Sequence, residues 1–463
     1  MRSILTYNVS RKHQNLTYYL VLDGEFMGRF VPFSTAPKVE RAILVGVDYG
    51  KSDWSLEESM DELERLTQTD GAEVFMRITQ KLDAPVPKTF IGKGKTEELV
   101  SLVRNTNTDV VIFDDELTPS QQSNLEKLLG EPVKVIDRTA LILDIFGIHA
   151  RTKEGRLQVQ LAQLQYVLPR LRGMWSHLVG EQTRGGIGSR FGQGESQLEV
   201  DRRLIRKRIS TLKNELKQLG QRREVQSKSR WNSGTFSVSL VGYTNAGKST
   251  LLNQLTGADV YAKDELFATL DPTTRALSLD EGRKIVLTDT VGFIQKLPTN
   301  LIESFKSTLV EAQEADLLLL VADATDKNLS KEIAVVRSIL KDIEADKSDQ
   351  VLVLNKVDLL SEQELQMLKA LYPDAVFISA QKGTGINGLL HTIQEIASAG
   401  DKVVSALIPF NKGALVKSVH ERCQLLHEQY VAEGLLLSVK ADTYMQALLE
   451  PYVVSEDDIL TDE

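Results

Sequence analysis

The feature that most constrains this chain is a short glycine-rich run. It is the octapeptide Gly242-Tyr243-Thr244-Asn245-Ala246-Gly247-Lys248-Ser249, which follows the apolar stretch 237–241 and precedes the helix-forming stretch 250–255. The pattern G-x-x-x-x-G-K-S between a strand and a helix is typical of a loop that wraps phosphate groups with backbone N–H groups. A chance match in a chain of this length has a probability of about one per cent. The run therefore predicts an open α/β sheet in which one strand ends at a phosphate site.

Each residue type in this run has a chemical reason. The glycines permit close backbone approach, and the start of the helix favours anions through its dipole. Lys248 is expected to reach the β- and γ-phosphates, and Ser249 to give its hydroxyl to Mg²⁺. Asn245 either stabilises the loop or helps to hold a monovalent cation such as K⁺, and the sequence leaves both open. The predicted nucleotide contacts in this region are Gly242, Tyr243, Thr244, Asn245, Ala246, Gly247, Lys248, Ser249 and Thr250.

Three further motifs follow predicted strands, in the order typical of guanine-nucleotide-binding domains. Asp289-Thr290-Val291-Gly292 offers a carboxylate that can hold Mg²⁺ through water and an amide, that of Gly292, for the γ-phosphate. Asn355-Lys356-Val357-Asp358 offers a carboxylate that accepts from N1 and N2 of guanine, and adenine has no such pair of donors. The backbone of Ser379-Ala380 can contact guanine O6. The four motifs together predict a GTPase rather than a generic ATPase.

The stretch between the phosphate loop and Asp289 is where a first switch loop belongs. It contains Phe267-Ala268-Thr269-Leu270-Asp271 followed by Pro272-Thr273-Thr274-Arg275. A threonine hydroxyl in such a loop binds Mg²⁺ only while the γ-phosphate is present, and this orders the loop. Thr269 is the predicted ligand, with Thr273 and Thr274 as competitors, and residues 267–271 are predicted nucleotide contacts. The predicted catalytic residues are Lys248, Thr269 and Gly292.

The position after Asp-x-x-Gly departs from many GTPases. These proteins place a glutamine there, which orients the attacking water. Here the position is Phe293, whose side chain cannot orient water. The sequence therefore predicts slow intrinsic hydrolysis, raised when a partner reorders the switch loops.

The residues upstream of the phosphate loop fall into segments with different sequence patterns. Residues 1–38 are predicted to form an extension with a hairpin around Asp23-Gly24. Residues 39–150 alternate apolar runs of strand length with amphipathic helical patterns, which predicts an α/β domain with a parallel sheet.

Residues 151–230 have a different character. Two stripes of leucine and isoleucine at helical spacing, joined by a glycine-rich link, predict a long helical hairpin with its helices side by side. The link and the second helix are rich in arginine and lysine. Their charges suit RNA phosphates, although the pattern alone leaves open a merely solvated helix face. The residues predicted to contact RNA are Arg184, Arg190, Arg202 and Arg203.

The predicted fold class is thus α/β, with a P-loop GTPase domain between the upstream elements and a small C-terminal domain. The GTPase domain is predicted over residues 231–400. Residues 401–463 are predicted to form a small α+β domain with a helix over 417–429, a strand over 434–439 and an acidic tail.

Composition narrows the cellular setting. One cysteine among 463 residues cannot form an internal disulfide, which suits a reducing compartment. The longest apolar run, residues 317–322, is too short to span a bilayer. The net charge of −9 gives no overall sign of nucleic-acid binding, so the basic arm is a local exception. We therefore expect a cytoplasmic protein with no membrane span and no DNA partner.

The motifs resemble those of the HflX GTPases in the Obg–HflX group. The resemblance rests on the phosphate loop 242–250, the switch stretch 267–275 and Asp-Thr-Val-Gly-Phe-Ile at 289–294. The upstream half agrees, since Phe-Ile-Gly-Lys-Gly-Lys at 90–95 and Arg-Thr-Lys-Glu-Gly at 151–155 are similar to family signatures.

The glycine-rich link departs from the family pattern. The family usually has Gly-Pro-Gly-Glu-Thr-Gln where this chain has Gly192-Gln193-Gly194-Glu195-Ser196-Gln197, and Phe191 is an additional residue. The departure changes the shape expected of the hairpin tip.

The resemblance implies a ribosome-associated factor that hydrolyses GTP to GDP with Mg²⁺. Such a factor binds the large (50S) ribosomal subunit and its RNA, and splits stalled or idle 70S ribosomes under stress. Part of the cytoplasmic protein would then be ribosome-bound. The alternatives are a GTPase switch in ribosome assembly or RNA modification, and a GTP-binding scaffold with negligible turnover. An ATP-driven RNA remodeller would need a second phosphate site, which the upstream sequence does not offer.

Overall fold

The computed structural model describes residues 21–22, 25–26, 39–50, 54–174, 197–231, 235–257, 266–267, 269–279, 283–296 and 306–454. Near the N-terminus, β1 (Val21–Leu22) pairs antiparallel with β2 (Glu25–Phe26), as predicted for a hairpin around residues 23–24.

The upstream domain alternates strands and helices. Its elements are β3 (Arg41–Asp48), α1 (Leu56–Thr69), β4 (Glu73–Lys81), α2 (Lys93–Asn105), β5 (Val110–Phe113), α3 (Pro119–Leu129), β6 (Lys134–Asp137) and α4 (Arg138–His149). The four strands form the predicted parallel sheet, in the order β4-β3-β5-β6. Helices α1 and α3 begin with capping boxes, in which Ser55 and Thr118 accept from the amides three residues later.

The hairpin helices are longer than the apolar stripes predicted them to be. They are α5 (Lys153–Met174) and α6 (Gln197–Trp231). Leu157 and Leu161 of α5 pack against Leu212 of α6, which buries the two stripes against each other. The glycine-rich link with Arg184 and Arg190 lies outside the described residues.

The GTPase domain is built on a six-stranded sheet. Its elements are β7 (Phe236–Gly242), α7 (Lys248–Thr256), β8 (Thr273–Ser278), β9 (Lys284–Asp289), α8 (Lys306–Gln313), β10 (Leu317–Asp323), α9 (Leu329–Asp342), β11 (Asp349–Asn355), α10 (Glu362–Leu371), β12 (Val376–Phe377) and α11 (Ile386–Ser398). The strand order is β12-β11-β10-β7-β9-β8, and the pairs are parallel except β8 with β9. The apolar run 317–322 forms the buried part of strand β10.

The C-terminal elements are β13 (Lys402–Ile408), α12 (Gly413–Arg422), β14 (Gln424–Val431), β15 (Gly434–Ala441) and α13 (Thr443–Leu449). The helix predicted over 417–429 was wrong in its second half. The helix ends at Arg422, and β14 pairs antiparallel with β15 across a tight turn. Pairing with a buried neighbouring strand outweighs the weak helical preference of this segment. The acidic tail lies outside the described residues.

One apolar core joins the upstream domain to the GTPase domain. Leu141 and Phe146 of α4 belong to the same buried cluster as Phe267, Leu270 and Leu318. The switch stretch is therefore packed against α4 rather than projecting alone from the sheet. The mixed α/β class predicted for the chain is confirmed. Among the helices of the described residues, none combines the length and apolar composition needed to cross a membrane.

Candidate nucleotide site

The phosphate loop lies at the carboxyl end of β7 and leads into α7. Two glycines are required by its backbone. Gly242 has φ 156°, and a Cβ there would overlap the carbonyl group of Val321 on β10. Gly247 has φ 91°, and a Cβ there would overlap the side-chain amide of Asn355. The loop can therefore pass close to two neighbouring strands only because both positions lack a side chain.

Lys248 lies folded over the loop. Its Nζ donates to the carbonyl oxygens of Gly242 at 3.1 Å and Tyr243 at 2.8 Å. Burial lowers the pKa of Lys248 to about 8, although nearby Asp289 and Glu332 act in the opposite direction. A buried ammonium group without a full countercharge is suited to an anion, since an added phosphate would stabilise its charged form.

Three oxygen-bearing side chains predicted to hold Mg²⁺ converge at one point. Ser249 Oγ donates to Asp289 Oδ2 at 2.6 Å and lies 2.7 Å from Thr269 Oγ1. The other oxygen of Asp289, Oδ1, is buried and has no hydrogen-bond partner among the described residues. Burial raises the pKa of Asp289, while Lys248, Ser249 and Thr269 stabilise its charged form. Two hydroxyls beside a buried carboxylate form the kind of oxygen donor set that Mg²⁺ prefers, so these residues fit the ion.

The three candidate threonines of the switch stretch are placed differently. Thr269 reaches Ser249, whereas Thr273 and Thr274 belong to β8, where the hydroxyl of Thr274 lies 3.1 Å from that of Thr288 on β9. This placement favours Thr269 as the magnesium ligand, in agreement with the sequence argument.

Asn355 links the phosphate loop to the loops that are predicted to contact guanine. Its Nδ2 donates to Ala246 of the phosphate loop at 2.9 Å, and its Oδ1 accepts from the Ala380 amide at 2.9 Å. Lys356 adopts φ 66° and forms a 2.7 Å ion pair with Asp323. The exposed carboxylate of Asp358 follows in a 3₁₀ turn over Val357–Leu359. Ser379 is fully buried, and its hydroxyl accepts from the Lys382 amide.

The Asp-x-x-Gly stretch lies directly on the phosphate loop. The Thr244 amide donates to Phe293 O at 2.7 Å, and the Phe293 amide donates to Gly242 O at 3.1 Å. A Cβ on Gly292 would lie 2.7 Å from Thr244 Cα, so this contact requires glycine. The side chain of Phe293 is buried, 1% exposed, and belongs to the common core. It therefore anchors the Asp-x-x-Gly stretch and offers no polar group to a water molecule.

Several predicted nucleotide contacts direct their side chains elsewhere. Thr290 donates to Leu240 O at 2.7 Å, and Val291 is buried. Phe267 and Leu270 are buried in the common core, and the Phe267 amide donates to Thr244 Oγ1 at 2.8 Å. Thr250 is half-buried at the start of α7, and Ala268 lies outside the described residues. These residues can meet a nucleotide only through their backbone or by moving.

A buried charge cluster adjoins the site, and sequence reasoning missed it. It consists of Glu62, Asp114 and Arg138 of the upstream domain with Tyr243 and Lys296 of the GTPase domain. The Tyr243 hydroxyl donates to Glu62 at 2.5 Å, Arg138 contacts Glu62 at 2.7 Å and Asp114 at 2.5 Å, and Lys296 contacts Asp114 at 2.5 Å. No local pattern marks these residues, because directly bonded members lie up to 182 positions apart.

The ionisation of the cluster follows from its burial. Desolvation alone would raise the pKa of Asp114, but Arg138 and Lys296 outweigh it, and the pKa is lowered to about 2. For Glu62 desolvation dominates and raises the pKa despite Arg138. Desolvation and the neighbouring Glu62 raise the pKa of the Tyr243 hydroxyl, which therefore stays a donor.

The half-buried residue Asp271 also contacts the upstream half through its carboxylate. It accepts from the amides of Arg151 and Thr152 and from the Thr152 hydroxyl. Of the predicted RNA contacts, Arg203 is exposed and Arg202 half-buried on α6. The structure thus brings the phosphate, magnesium and guanine motifs to one sheet edge, with the RNA candidates on a separate arm.

Three family models match consecutive parts of the chain. They are described as GTP-binding GTPase N-terminal over residues 57–147, GTP-binding GTPase Middle Region over 149–230, and 50S ribosome-binding GTPase over 237–356. Among solved structures, a GTP-binding protein from Sulfolobus solfataricus in complex with GDP is 24% identical, with a TM-score of 0.41, and covers 78% of this chain and 99% of its own.

Curated relatives match over most of their length. The "GTPase HflX" of Caldanaerobacter subterraneus subsp. tengcongensis is 45% identical over 416 residues, which is 90% of this chain and 94% of the relative. The "GTPase HflX" of Escherichia coli (strain K12) is 43% identical over 403 residues, 87% of this chain and 93% of the relative. With such identity along nearly the whole chain, and with the four nucleotide motifs at one sheet edge, this protein belongs to the HflX family and is a GTPase that binds GTP and GDP.

Proposed function

We propose that this GTPase binds the large ribosomal subunit through its helical hairpin and uses GTP to split stalled or idle 70S ribosomes under stress. One observation supports the proposal most directly. Arg151 and Thr152, which immediately precede α5, donate hydrogen bonds to Asp271 of the switch stretch. The arm suited to RNA is thereby joined to the nucleotide site. The match to the model of 50S ribosome-binding GTPases supports the same partner.

The surface of α6 suits ribosomal RNA. Arg203, Arg206, Lys207 and Lys213 are exposed, while Leu212 on the same helix is buried against α5. Cationic side chains on a rigid helix contact phosphates without sequence preference, and they supply the salt-dependent part of the affinity. Arg202 and Arg203, with Arg184 and Arg190 in the link, are the proposed RNA contacts.

The nucleotide site would act as the switch. Ser249 and Thr269 would hold Mg²⁺, with Asp289 bound through water, and the ion neutralises charge on the β- and γ-phosphates. Lys248 and the Gly292 amide would stabilise the γ-phosphate, and Asp358 with the Ser379-Ala380 backbone would bind guanine. The ribosome shifts the switch only if it prefers the GTP form, and it then tightens GTP binding by the same factor.

The first experiment measures GTP turnover by the full chain alone, with 50S subunits and with 70S ribosomes. We expect a slow rate alone, because Phe293 cannot orient water, and a rise of about tenfold or more with 50S, equivalent to about 1.4 kcal/mol in the barrier. An unchanged rate with both particles would overturn the ribosomal role. A rate too slow to measure in all three conditions would support the alternative of a GTP-binding scaffold.

The RNA contact is tested with a matched pair of charge reversals. Lys207→Glu reverses an exposed charge on α6, and Lys93→Glu reverses a charge on α2 whose side chain is 92% exposed. We expect Lys207→Glu alone to weaken 50S binding several-fold and to reduce its salt dependence, since a phosphate contact releases counterions. Equal weakening by both variants would mean that α6 is not the contact surface.

Splitting and location require their own assays. Light scattering of 70S ribosomes should fall when the protein is added with GTP. A similar fall with a non-hydrolysable GTP analogue would assign hydrolysis to release rather than to splitting. Binding without any fall would favour a role in assembly or RNA modification. The same proposal places the protein in the cytoplasm, partly in ribosomal fractions.

A potassium ion is also proposed beside the phosphate loop. Asn245 adopts φ 61°, which keeps the loop tight at the point where a monovalent cation could contact the phosphates. Turnover in KCl should then exceed turnover in NaCl at equal ionic strength, and Asn245→Ala should remove the difference. Equal rates in both salts would leave Asn245 with a loop-stabilising role only.

A further inference from the structure

The switch stretch contacts the upstream half of the chain on both sides of Thr269. The ring of Phe267 packs edge-on against that of Phe146 on α4, with centroids 4.7 Å apart. Leu270 is buried in the same core. Asp271, the next residue, contacts the start of α5. The magnesium candidate Thr269 lies between these anchors, so its position depends on residues outside the GTPase domain.

The contact of Asp271 has a specific geometry, which we call the carboxylate cap. Oδ2 accepts from the Arg151 amide at 2.8 Å and the Thr152 amide at 2.7 Å, and Oδ1 accepts from the Thr152 hydroxyl at 2.5 Å. The Thr152 hydroxyl also accepts from the Gly155 amide at 2.9 Å. A carboxylate from the switch stretch thus satisfies backbone donors at the N-terminal end of α5, where the helix dipole favours negative charge.

Gly155 makes room for this cap. A Cβ at position 155 would overlap Oδ1 of Asp271 and lie 3.1 Å from its Cγ. The overlapped atom is the charged end of a side chain already fixed by three hydrogen bonds, so it could yield only by leaving the cap. Glycine inside a helix is otherwise unfavourable relative to alanine. The close approach of Asp271 explains why position 155 is a glycine.

We infer that Thr152 and Asp271 are positioning residues for the magnesium site. The carboxylate cap holds the backbone two residues after Thr269, and Thr269 Oγ1 lies 2.7 Å from Ser249 Oγ, where Asp289 also converges. The hairpin thereby pre-orders a ligand that would otherwise have to be ordered by the ion. This inference deepens the proposed function, because it rests on Thr269 being a magnesium ligand.

The test is a magnesium titration of GTP hydrolysis by the full chain at saturating GTP. Asp271→Ala should raise the half-saturating Mg²⁺ concentration about tenfold, the effect of losing a charge-assisted hydrogen bond. Thr152→Val alters the same cap from the upstream side, and its rate at saturating Mg²⁺ should stay within about twofold, because a positioning residue of this kind changes affinity for the ion more than the chemical step.

Three further variants separate positioning from general damage. Gly155→Ala favours the helix but displaces the carboxylate, so it should raise the Mg²⁺ requirement without loss of thermal stability. Thr152→Ser keeps the hydroxyl and should behave as wild type, and Thr152→Val should not. Asp316→Ala is the matched control, since Asp316 accepts from the Ser237 amide at 2.7 Å and the Ser237 hydroxyl at 2.8 Å at a distance from the magnesium candidates.

A second readout and a fourth variant keep the outcomes distinct. Binding of fluorescently labelled GDP without Mg²⁺ should be equal in wild type and Thr152→Val, which would show that the site is folded. Thr269→Ala tests the underlying assignment. If Thr269→Ala raises the Mg²⁺ requirement and Asp271→Ala does not, the positioning role is overturned while the proposed ligand stands. If neither changes it, both are overturned. An equal effect of Asp316→Ala would show a non-specific loss and would also reject the inference.

Discussion

Two of the polar junctions between the GTPase domain and the upstream half of the chain have opposite physical character. In the buried charge cluster, the side chains of Arg138 and Asp114 are 2% and 0% exposed. In the carboxylate cap, Asp271 binds Arg151 and Thr152 at the protein surface. A buried charge that loses its partner is strongly destabilising, whereas an exposed charged contact is screened by solvent. The comparison indicates that the cluster keeps the domains together, while the cap can open at modest cost where the switch must move.

The largest expected effect comes from removing the central cation of the cluster. Arg138→Met would leave Glu62 and Asp114 without the guanidinium that contacts both at 2.7 and 2.5 Å. We expect a loss of about 3–5 kcal/mol in the free energy of unfolding, measured by urea denaturation, because buried Glu62 loses the cation that contacts it and buried Asp114 keeps only Lys296.

The control for this variant is an exposed arginine with similar partners. Arg77 contacts Asp61 and Glu64 at 2.6 and 2.5 Å, with 34% of its side chain exposed. Arg77→Met should lower the free energy of unfolding by no more than about 1 kcal/mol. If the two variants lose equal stability, the contrast between buried and exposed junctions is wrong.

A smaller effect, in this case an increase in the free energy of unfolding, is expected when Glu332, whose carboxylate is influenced by Glu62 of the charge cluster, is replaced. Burial raises the pKa of Glu332 to about 8, and Asp326, Glu62 and Asp323 add to the shift. The folded state then binds more protons than the unfolded state between pH 4.5 and 8, so stability falls as the pH rises through that window.

Glu332→Gln removes this titration. The variant should match wild type near pH 4, and its advantage in the free energy of unfolding should grow by up to about 1.4 kcal/mol for each pH unit between pH 4.5 and 8. A constant difference between variant and wild type across this range would show that Glu332 does not titrate as the burial argument requires.

The smallest effect concerns Lys296, which follows the Asp-x-x-Gly stretch and contributes a positive charge to the cluster. Its side chain is 36% exposed, so Lys296→Met should destabilise the protein by only about 1 kcal/mol at pH 7. The pKa of Asp114, lowered to about 2 by Arg138 and Lys296 against desolvation, should rise toward its ordinary 3.8.

The sign of the acid effect follows from this depressed pKa. Asp114 adds stability above pH 3.8, and the contribution is lost as the pH falls through about 2. Lys296→Met should therefore shift acid unfolding to higher pH. An unshifted acid transition would mean that Arg138 alone holds Asp114 ionised.

The nucleotide motifs could be predicted from sequence because each depends on its immediate neighbours. Gly242, Asp289 and Asn355 each end an apolar run of strand length, and parallel strands bring such ends to one sheet edge. The sequence left Thr273 and Thr274 as competitors of Thr269, and the structure puts both of them on β8.

The charge cluster and the carboxylate cap could not be predicted in this way. Glu62 and Arg138 are ordinary charged residues in helical patterns, and Tyr243, which donates to Glu62, lies 181 positions away from it along the chain. Asp271 was assigned to the nucleotide by its position in the switch motif, yet its carboxylate contacts Arg151 and Thr152. Long-range polar partners depend on how the domains dock, and no local spacing encodes that.

Helix α5 has a mechanical consequence that follows from where it begins. Its 22 residues span about 33 Å at 1.5 Å per residue, with one end at Asp271 and the other toward the hairpin tip. Such a helix would act as a lever that pivots at its N-terminal end, which lies beside the nucleotide site. A tilt of about 5° at Thr152 would displace the far end by about 3 Å over that length. A tilt too small to disturb the sheet would therefore move the far end of α5 by about the length of a hydrogen bond.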